Sequence, residues 1–379
     1  MWIIEHAEIM SKLVTRSGEL LLGMLDESRA LFSYSATLRD GRIVNDFDHP
    51  LRIRYTVNSL AGLQRAVASG DVQWDLAGNL ENFLRLHLGE VTNPGDLGLL
   101  LSVLAVQQHD ASDAVFRKML DASPTNGRST GLPLQEVAWI LSGMAAYARH
   151  AKSNDAADAA RTLFRHISDK YADHASGLAC ADDSSARRRF VSFGGTAYFV
   201  KSLYDYHDAF GDEEARARAR ASTLRVIALQ GPRGEWPWFI DARRATVLDW
   251  YQVYTVHQSS MSMLFLLPAL DAGLEEARSA IERSYRWIFG ENELHAPMAQ
   301  REPFFTYRSI RRKQKWERAR RYGRSLALSA FHARAAHADP STLTVNRECR
   351  SYELGWILYC WSGRNDFVDF TGLQLLPGR

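Results

Sequence analysis

Cysteine is scarce in this sequence, and its scarcity argues against two classes of protein. The 379 residues contain three cysteines, Cys180, Cys349 and Cys360, and none belongs to a C-x-x-C pair. An odd number of cysteines at these spacings does not suggest a disulfide framework. The absence of C-x-x-C spacing does not suggest a zinc site either. We therefore expect a cytoplasmic protein that holds no metal and no other cofactor.

Long apolar runs and a large net charge are also missing. No uninterrupted run of about 18 apolar residues occurs, so we expect no membrane span. The N-terminal stretch has Glu5 and Glu8 within its apolar part and lacks a small-residue cleavage site, which does not fit a secretory signal. A formal net charge of +2 argues against a general nucleic-acid partner. The composition is that of a soluble globular protein, and it does not indicate an oligomeric state.

Lysine is rare compared with arginine. Only 7 of the 46 basic residues are lysine. Arginine recognises carboxylates and phosphates through paired hydrogen bonds, although a genome rich in G and C produces the same bias. Two basic clusters with aromatic residues, at 187–190 and 311–324, would suit an anionic sugar, a nucleotide-sugar or a diphosphate if they faced a site. Otherwise they are solvated faces.

What the sequence does contain is a succession of helical patterns. Apolar residues recur at spacings of three and four, with little strand-like alternation. The predicted helices form pairs, at 51–69 with 76–88, 96–107 with 111–120, 133–150 with 155–171, 191–210 with 213–229, and 253–270 with 274–289. An unpaired helix at 352–361 and another at 2–32 would make a sixth pair across the termini.

Six helical hairpins predict an all-α fold, the (α/α)6 toroid, formed by residues 1–379 as a single domain. In this fold the first helix of each pair lines the inside of a ring, and the second covers the outside. Segments such as SMSMLFLLPAL are apolar on every side, as an inner helix requires, whereas DAADAARTLFRHI has one charged face. An open helical solenoid is the alternative.

The loops before the inner helices are long, and those before the outer helices are short. The long ones are 33–50, 121–132, 172–190, 230–252 and 291–349. A ring gathers them on one rim, where functional residues are commonly carried by loops on a rigid scaffold.

One stretch, QGPRGEW, matches a known repeat. Gln230, Gly234 and Trp236 form a Q-x-x-x-G-x-W arrangement, which resembles the repeat motif of triterpene cyclases and related α-toroids. In that family the glutamine and the tryptophan tie the end of an outer helix to the next inner helix. Only one copy occurs, and Arg225 stands where the repeat has an aromatic residue. The resemblance supports the toroid rather than cyclase chemistry.

The segment that follows, WPWFIDARRATVLDWY, predicts a small β-hairpin on the rim with its turn at 242–245. Such a hairpin would bring Asp241 and Asp249 close together. Paired carboxylates can act as general acid and as base or nucleophile, with Arg243 or Arg244 holding one of them ionised. A structural turn with two Asp–Arg pairs is the alternative interpretation.

Beyond the hairpin, Tyr254, His257 and Met261 share one face at the start of an inner helix. His257 would then point into the ring, where it could act as an acid or base or bind a ligand hydroxyl. A histidine held in the core is the alternative. We predict Asp241, Asp249, His257 and Tyr254 as the catalytic residues.

Two other stretches also bring charged residues to the starts of inner helices. NRECRSYELGW carries charges into an apolar helix, which is costly unless they face a wet cavity or one another. In NDFDHPLRIRY, Pro50 at a helix start with Asp48 or His49 before it is ordinary capping chemistry. D-F-D-H also resembles a degenerate D-x-D-D acid motif of class II terpene cyclases, with Asp48 as proton donor and His49 in place of the last aspartate. The predicted substrate-binding residues are Trp236, Trp238, Arg54, Tyr55, Asp48, Arg347, Glu348, Tyr352 and Glu353.

Taken together, the ring, its aromatic residues and its paired carboxylates resemble the six-hairpin carbohydrate-active enzymes, which include glycoside hydrolases, uronyl hydrolases, sugar epimerases and polysaccharide lyases. The resemblance implies a small saccharide substrate, with Trp236 and Trp238 as stacking platforms. A terpenoid cyclase-like enzyme using Asp48 and a non-catalytic binding toroid are the alternatives. The zinc-bearing lanthionine cyclases share the toroid but need cysteine ligands, and Cys360 is followed by Trp361 rather than histidine. On the leading hypothesis, Asp249→Ala and His257→Ala would abolish turnover and leave the thermal midpoint nearly unchanged.

Overall fold

The computed structural model describes residues 2–123, 130–185, 188–300, 304–313 and 317–364, and it describes side chains for these except at 2–11 and 317–322. Parts of the predicted loop at 121–132, of the two basic clusters and of the predicted domain 1–379 therefore lie outside the described residues. No helix within these ranges is long and apolar enough to cross a bilayer.

Helices make up most of the described chain. In chain order they are α1 (Trp2–Leu22), α2 (Arg52–Ser69), α3 (Leu76–His87), α4 (Pro94–Val106), α5 (Ser112–Ala122), α6 (Leu134–Ala151), α7 (Asn154–His166), α8 (Phe193–Phe210), α9 (Glu213–Ile227), α10 (Met263–Asp271), α11 (Glu276–Ile288), α12 (Glu317–Ala330) and α13 (Ser351–Trp361). A π-helical turn, His257–Met261, leads into α10.

Short polar side chains mark several helix starts. The side chains of Asn93, Ser153, Ser192 and Asp212 each accept a hydrogen bond from the backbone N–H three residues later. These bonds satisfy donors that have no partner inside the helix. Two of the four precede inner helices, so local sequence fixes where the ring's lining begins.

The helices form the predicted closed ring. The inner helices α2, α4, α6, α8, α10 and α13 pack in that order, and α13 packs along α2 to close the circle. The outer helix α1 packs on α13, which makes the sixth hairpin across the chain ends. The (α/α)6 prediction is confirmed, and the open solenoid is not observed.

Two predicted helices differ from the structure at their ends. The N-terminal helix, predicted over 2–32, ends at Leu22, because 25–26 and 31–32 pair as short strands. The fifth inner helix, predicted from 253, begins only with the turn at His257, because Tyr254 pairs with Ser309 in a sheet. In both places strand pairing with another segment replaces a local helical pattern.

Short strands occupy the long loops at the inner-helix N-termini. They are β1 (Leu25–Asp26), β2 (Leu31–Phe32), β3 (Ser35–Arg39), β4 (Arg42–Asp46), β5 (Ala172–Asp173), β6 (Leu178–Ala179), β7 (Phe190–Ser192), β8 (Phe239–Asp241), β9 (Thr246–Asp249), β10 (Val253–Tyr254), β11 (Ala299–Gln300), β12 (Phe305–Thr306), β13 (Ser309–Arg312), β14 (Leu343–Asn346) and β15 (Glu348–Cys349). The predicted rim hairpin is β8 and β9, which adds to β7. Two further sheets, β10-β13-β14 and β15-β3-β4, join segments far apart in the chain.

Glycines allow the closest approaches between inner helices. A Cβ atom on Gly62 of α2 would lie 1.9 Å from the carbonyl oxygen of Gly355 on α13, and one on Gly143 of α6 would lie 2.3 Å from that of Gly98 on α4. Only glycine permits backbones this close. The contact between α2 and α13 that closes the ring therefore depends on the pair Gly62 and Gly355.

Gly62→Ala is expected to lower the free energy of unfolding by about 3 kcal/mol, because the added methyl group forces α2 and α13 apart. Equilibrium chemical denaturation measures the change. Gly89→Ala is the matched control, since no atom lies within 4 Å of its added Cβ. An equal, small effect of both substitutions would show that the closing contact is easily deformed.

Candidate functional site

A cavity of about 300 Å³ opens at the end of the ring where the inner helices begin. Helices α2, α6, α8 and α13, the turn before α10 and two rim segments contribute to its wall. The lining residues are Leu51, Arg54, Tyr55, Asn58, Gln135, Trp139, Ser192, Gly194, Tyr198, Trp238, Tyr254, His257, Met261, Arg308 and Tyr352. Aromatic rings and polar groups alternate around it, so the cavity offers both stacking surfaces and hydrogen-bonding groups.

His257 lies in the wall between two aromatic rings. Its imidazole is parallel to Trp238 at 6.0 Å and lies 4.7 Å from the ring of Phe193. The residue is 3% exposed, and its Nδ1 has no hydrogen-bond partner among the described residues. Burial lowers the pKa of His257 to about 3, because the charged imidazolium would lose its hydration. At neutral pH His257 is therefore an uncharged imidazole, and burial makes its unprotonated ring nitrogen a weaker base than it would be in water.

Tyr254 lies beside His257 and beneath a cation. The two rings are 5.1 Å apart, and the guanidinium of Arg308 lies 5.5 Å from the Tyr254 ring. Arg308 Nη1 donates to Glu348 Oε2 at 3.1 Å, and Arg350 Nη2 donates to the same oxygen at 2.6 Å. Glu348 thereby fixes Arg308 at the mouth of the cavity.

Tyrosines form the wall opposite Tyr254. Tyr55 packs on Tyr34 at 4.8 Å and on Tyr352 at 4.5 Å. Burial raises the pKa of Tyr55 and that of Tyr352, so both phenols stay protonated. Next in the chain, Glu353 is 1% exposed, and its Oε1 has no partner among the described residues. Burial also raises the Glu353 pKa well above its ordinary value, against the opposing pull of Arg308.

Arg54 connects three inner helices at one side of the cavity. From α2 its Nε donates to Asp96 of α4 at 2.5 Å, and its Nη2 donates to Glu136 of α6 at 3.2 Å. The guanidinium also lies 5.0 Å from the ring of Trp139. Both carboxylates are mostly buried, so the Arg54 charge is needed to hold them in place.

The structure brings six of the thirteen predicted site residues into the cavity wall: Arg54, Tyr55, Trp238, Tyr254, His257 and Tyr352. Glu348 reaches it through Arg308, and Glu353 is buried next to Tyr352 in the chain. Arg347 is exposed beside Tyr307, and the Asp48 side chain is 93% exposed and 3.6 Å from Arg29. Asp48 is therefore not enclosed by the apolar wall that a polyene cyclase needs.

Asp241 and Asp249 lie on the two strands of the predicted hairpin, where Asp241 pairs with Thr246 and Asp249 with Phe239, and neither lines the cavity. Ser329 Oγ donates to Asp241 Oδ2 at 2.6 Å. Arg312 and Arg324 donate to Asp249 Oδ1 at 2.8 and 2.6 Å. Both carboxylates are fully buried in contacts with α12 or β13. Their catalytic role stays a prediction.

The Q-x-x-x-G-x-W element ties together more helices than the resemblance implies. Gln230 Nε2 donates to the carbonyl of Ala280 at 3.0 Å, and Trp236 Nε1 donates to Ser284 Oγ at 3.0 Å, both on the next outer helix α11. The Trp236 ring also packs on Phe265 of the inner helix α10. Trp236 is fully buried and does not line the cavity.

Sequence reasoning missed several lining residues, above all Arg308, Trp139 and Tyr198. Arg308 lies in the segment 291–349, which the loop pattern predicts to be one long loop. The alternation in FTYRSIRR is the sequence feature that favours the strand β13 there. Trp139 and Tyr198 lie in stretches of inner helices where most residues are buried, and no pattern there separates a cavity-facing ring from a core one.

Within the described residues no group of three or more His, Cys, Asp or Glu side chains is arranged to hold a metal ion. The chain matches no known protein-family profile, and no curated protein is significantly similar to it in sequence.

Solved structures share the fold across almost the whole chain. A sugar epimerase from a ruminal bacterium has a TM-score of 0.63 at 10% identity, over 95% of this chain and 98% of that one. The GH76A alpha-1,6-mannanase from Salegentibacter sp. HEL1_6 has 0.61 at 10%, over 93% and 98%. A glycosyl hydrolase of family 88 from Bacteroides vulgatus has 0.60 at 11%, over 96% and 99%. At these identities the likeness establishes the six-hairpin toroid and no more.

Proposed function

We propose that this protein is a carbohydrate-active enzyme whose substrate binds in the cavity at the inner-helix N-termini. The proteins that share its fold are named as an epimerase, a mannanase and a glycosyl hydrolase. The cavity offers rings that can stack on sugar C–H faces, Trp139 and Trp238, and hydrogen-bonding groups such as Asn58 and Gln135 for hydroxyls. Its volume of about 300 Å³ falls at the lower end of small-molecule sites.

The reaction we propose is removal of a proton from a sugar carbon next to a carboxyl or carbonyl group. One observation carries this choice: the described lining residues include a neutral histidine and four tyrosines, Tyr55, Tyr198, Tyr254 and Tyr352, but no aspartate or glutamate. Glycoside hydrolysis generally uses two carboxyl groups that flank the bond. Proton abstraction needs only a base, an acid and a stabiliser of negative charge.

In this proposal the imidazole of His257 accepts the carbon-bound proton. The positive charge of Arg308 stabilises the oxyanion that develops on the neighbouring carboxyl or carbonyl oxygen. In an elimination, the C–H electron pair becomes a C=C bond as the C–O bond breaks, and the phenol of Tyr254 protonates the departing oxygen. In an epimerisation, no C–O bond breaks, and a proton returns to the opposite face of the same carbon.

The test is a mass-spectrometric screen in D₂O of uronate-containing oligosaccharides, reducing sugars and alpha-1,6-manno-oligosaccharides. Elimination appears as cleavage without uptake of water, and epimerisation as deuterium on carbon without cleavage. His257→Gln should lower turnover by about 10²–10⁴-fold, the usual contribution of a general base. Tyr254→Phe should lower it by a similar factor if its phenol is the acid.

His109→Gln is the matched control, because His109 lies away from the cavity and bonds to the exposed Glu81. Turnover that survives His257→Gln within a factor of three would overturn the assigned base. Cleavage with uptake of water would overturn the proposed reaction in favour of hydrolysis.

Hydrolysis is the second candidate, and the Arg54 cluster is the observation that favours it. Asp96 and Glu136 stand on adjacent inner helices and are both bound to a residue of the cavity wall. If manno-oligosaccharides are hydrolysed by the Arg54 cluster, Glu136→Gln should abolish the activity. If Asp241 and Asp249 are the catalytic carboxylates, as the sequence predicts, Asp241→Asn and Asp249→Asn should abolish it instead. A terpenoid cyclase that uses Asp48 as its acid is not favoured, because the Asp48 side chain is 93% exposed and does not line the cavity.

A further inference from the structure

A second concavity lies at the opposite end of the ring, where the inner helices end. It consists of two adjoining hollows of about 420 and 250 Å³, lined by residues of all six inner helices. Both hollows include the side chains of Arg65, Lys201, Asp205, Asp208 and Tyr359. We call this concavity the C-terminal pit.

Two cations converge in the C-terminal pit. The guanidinium of Arg65 lies 4.0 Å from the centre of the Tyr359 ring, and Lys201 Nζ lies 5.2 Å from it. The Lys201 side chain is only 11% exposed, and its Nζ donates to Asp205 Oδ2 at 2.5 Å. Of the carboxylates in the described residues, Asp205 alone is within hydrogen-bonding distance of either cation. The ammonium of Lys201 is mostly buried and the guanidinium of Arg65 is exposed beside it, so the two cations around Asp205 leave an excess of positive charge that favours an anion.

The rest of the C-terminal pit carries charges of both signs, with cations in the majority. The lining side chains include five Arg or Lys residues and three Asp residues. The additional cations are Arg149, Arg216 and Arg364, of which Arg364 is already paired with Asp271 at 2.7 Å and Arg216 with Glu213 at 3.3 Å. Asp208, the remaining acid, makes no ion pair with any described residue and faces the same hollows.

We propose that the C-terminal pit is a binding site for a phosphorylated sugar or polyol. Arg65 and Lys201 would bind the phosphate, since guanidinium and ammonium groups are the side chains that recognise it. Asp205 and Asp208 would accept hydrogen bonds from hydroxyl groups of the same molecule. The site lies at the far end of the ring from the saccharide cavity, and its occupancy is measured by binding, independently of turnover.

A structural role for the same charges makes a different prediction. Helix C-termini carry exposed carbonyls, and cations stabilise them; Arg65 does donate to the Tyr359 carbonyl at 3.1 Å. Lys201, however, bonds to a carboxylate rather than to a carbonyl. If the cations served only to stabilise the helix ends, neutralising Lys201 would change the stability of the protein, and the wild-type protein would bind no phosphate compound in the pit.

The experiment compares inorganic phosphate, glucose 6-phosphate and glucose by calorimetric titration and by ³¹P line broadening. We expect the sugar phosphate to bind more tightly than phosphate, and glucose not to bind. Lys201→Met should weaken phosphate-ester binding by about 10–100-fold, the effect of losing a charged hydrogen bond. Lys152→Met, a surface substitution, is the matched control and should change nothing.

Arg65→Gln provides a second variant if Lys201→Met does not fold, and it should cause a comparable loss. Absence of binding by either phosphate compound to the wild-type protein would overturn the proposal. Binding that is unchanged in both variants would overturn it equally, because the anion would then sit elsewhere.

Discussion

Asp249→Ala is expected to lower the free energy of unfolding by about 3–5 kcal/mol, the range found when one partner of a buried ion pair is removed. The Asp249 side chain is fully buried and accepts hydrogen bonds from Arg312 and Arg324 at 2.8 and 2.6 Å. Arg312 is itself only 12% exposed and lies over the Tyr251 ring. Without the carboxylate, this guanidinium stays desolvated opposite an alanine. Chemical denaturation of the two proteins measures the difference.

Asp158→Ala is the matched control for this substitution. Asp158 pairs with Arg161 at 2.7 Å, but both side chains are exposed, so its loss should cost no more than about 1 kcal/mol. An Asp249→Ala protein as stable as the control, yet inactive on a saccharide, would support the catalytic role predicted from sequence. An unstable one would identify Asp249 as the anchor of the rim hairpin.

The stability of the protein should fall as the pH is lowered from about 6.5, and His257 should contribute a large part of the fall. In the folded protein burial lowers the pKa of His257 from 6.5 to about 3. Between these values the unfolded chain binds a proton that the folded protein does not, so acid favours unfolding. The slope from this residue is about 1.4 kcal/mol per pH unit once the unfolded imidazole is protonated. From pH 6.5 to pH 4 it amounts to about 3 kcal/mol.

The measurement is the free energy of unfolding of the wild type minus that of His257→Gln as a function of pH. Glu353 acts in the opposite direction, because its raised pKa makes the folded protein hold a proton that the unfolded chain loses as the pH rises above about 4.5. That contribution is common to both proteins and cancels in the difference. A difference that is flat from pH 7 to pH 4 would mean that the His257 imidazole is not desolvated.

The ring was predictable from the sequence because the residues of each hairpin by themselves indicate an inner helix followed by an outer one. A helix with one apolar stripe follows one that is apolar all round, and this alternation depends only on residues close in the chain. The rim hairpin of β8 and β9 was predictable for the same reason. The sixth hairpin required only that two unpaired helices, α1 and α13, be brought together.

The surroundings of the carboxylates were not predictable, because their partners come from distant segments. Arg312 and Arg324 lie 63 and 75 residues beyond Asp249, within the segment 291–349 that the sequence pattern predicts to be one loop. Their guanidiniums draw the carboxylate towards β13 and α12, away from the cavity. Arg308 was missed for the same reason, since only the pairing of β10 with β13 places it over Tyr254.

Closure of the ring by α13 also sets the order of events during synthesis. Ser351 Oγ donates to the carbonyl of Ser33 across 318 positions, and Tyr352 completes the cavity wall beside Tyr55. While the chain is on the ribosome, the face of α2 that packs against α13 therefore stays uncovered until α13 emerges. Chaperones act on exposed surfaces of this kind. The cavity at the inner-helix N-termini is thus incomplete in every nascent chain that has not yet released α13.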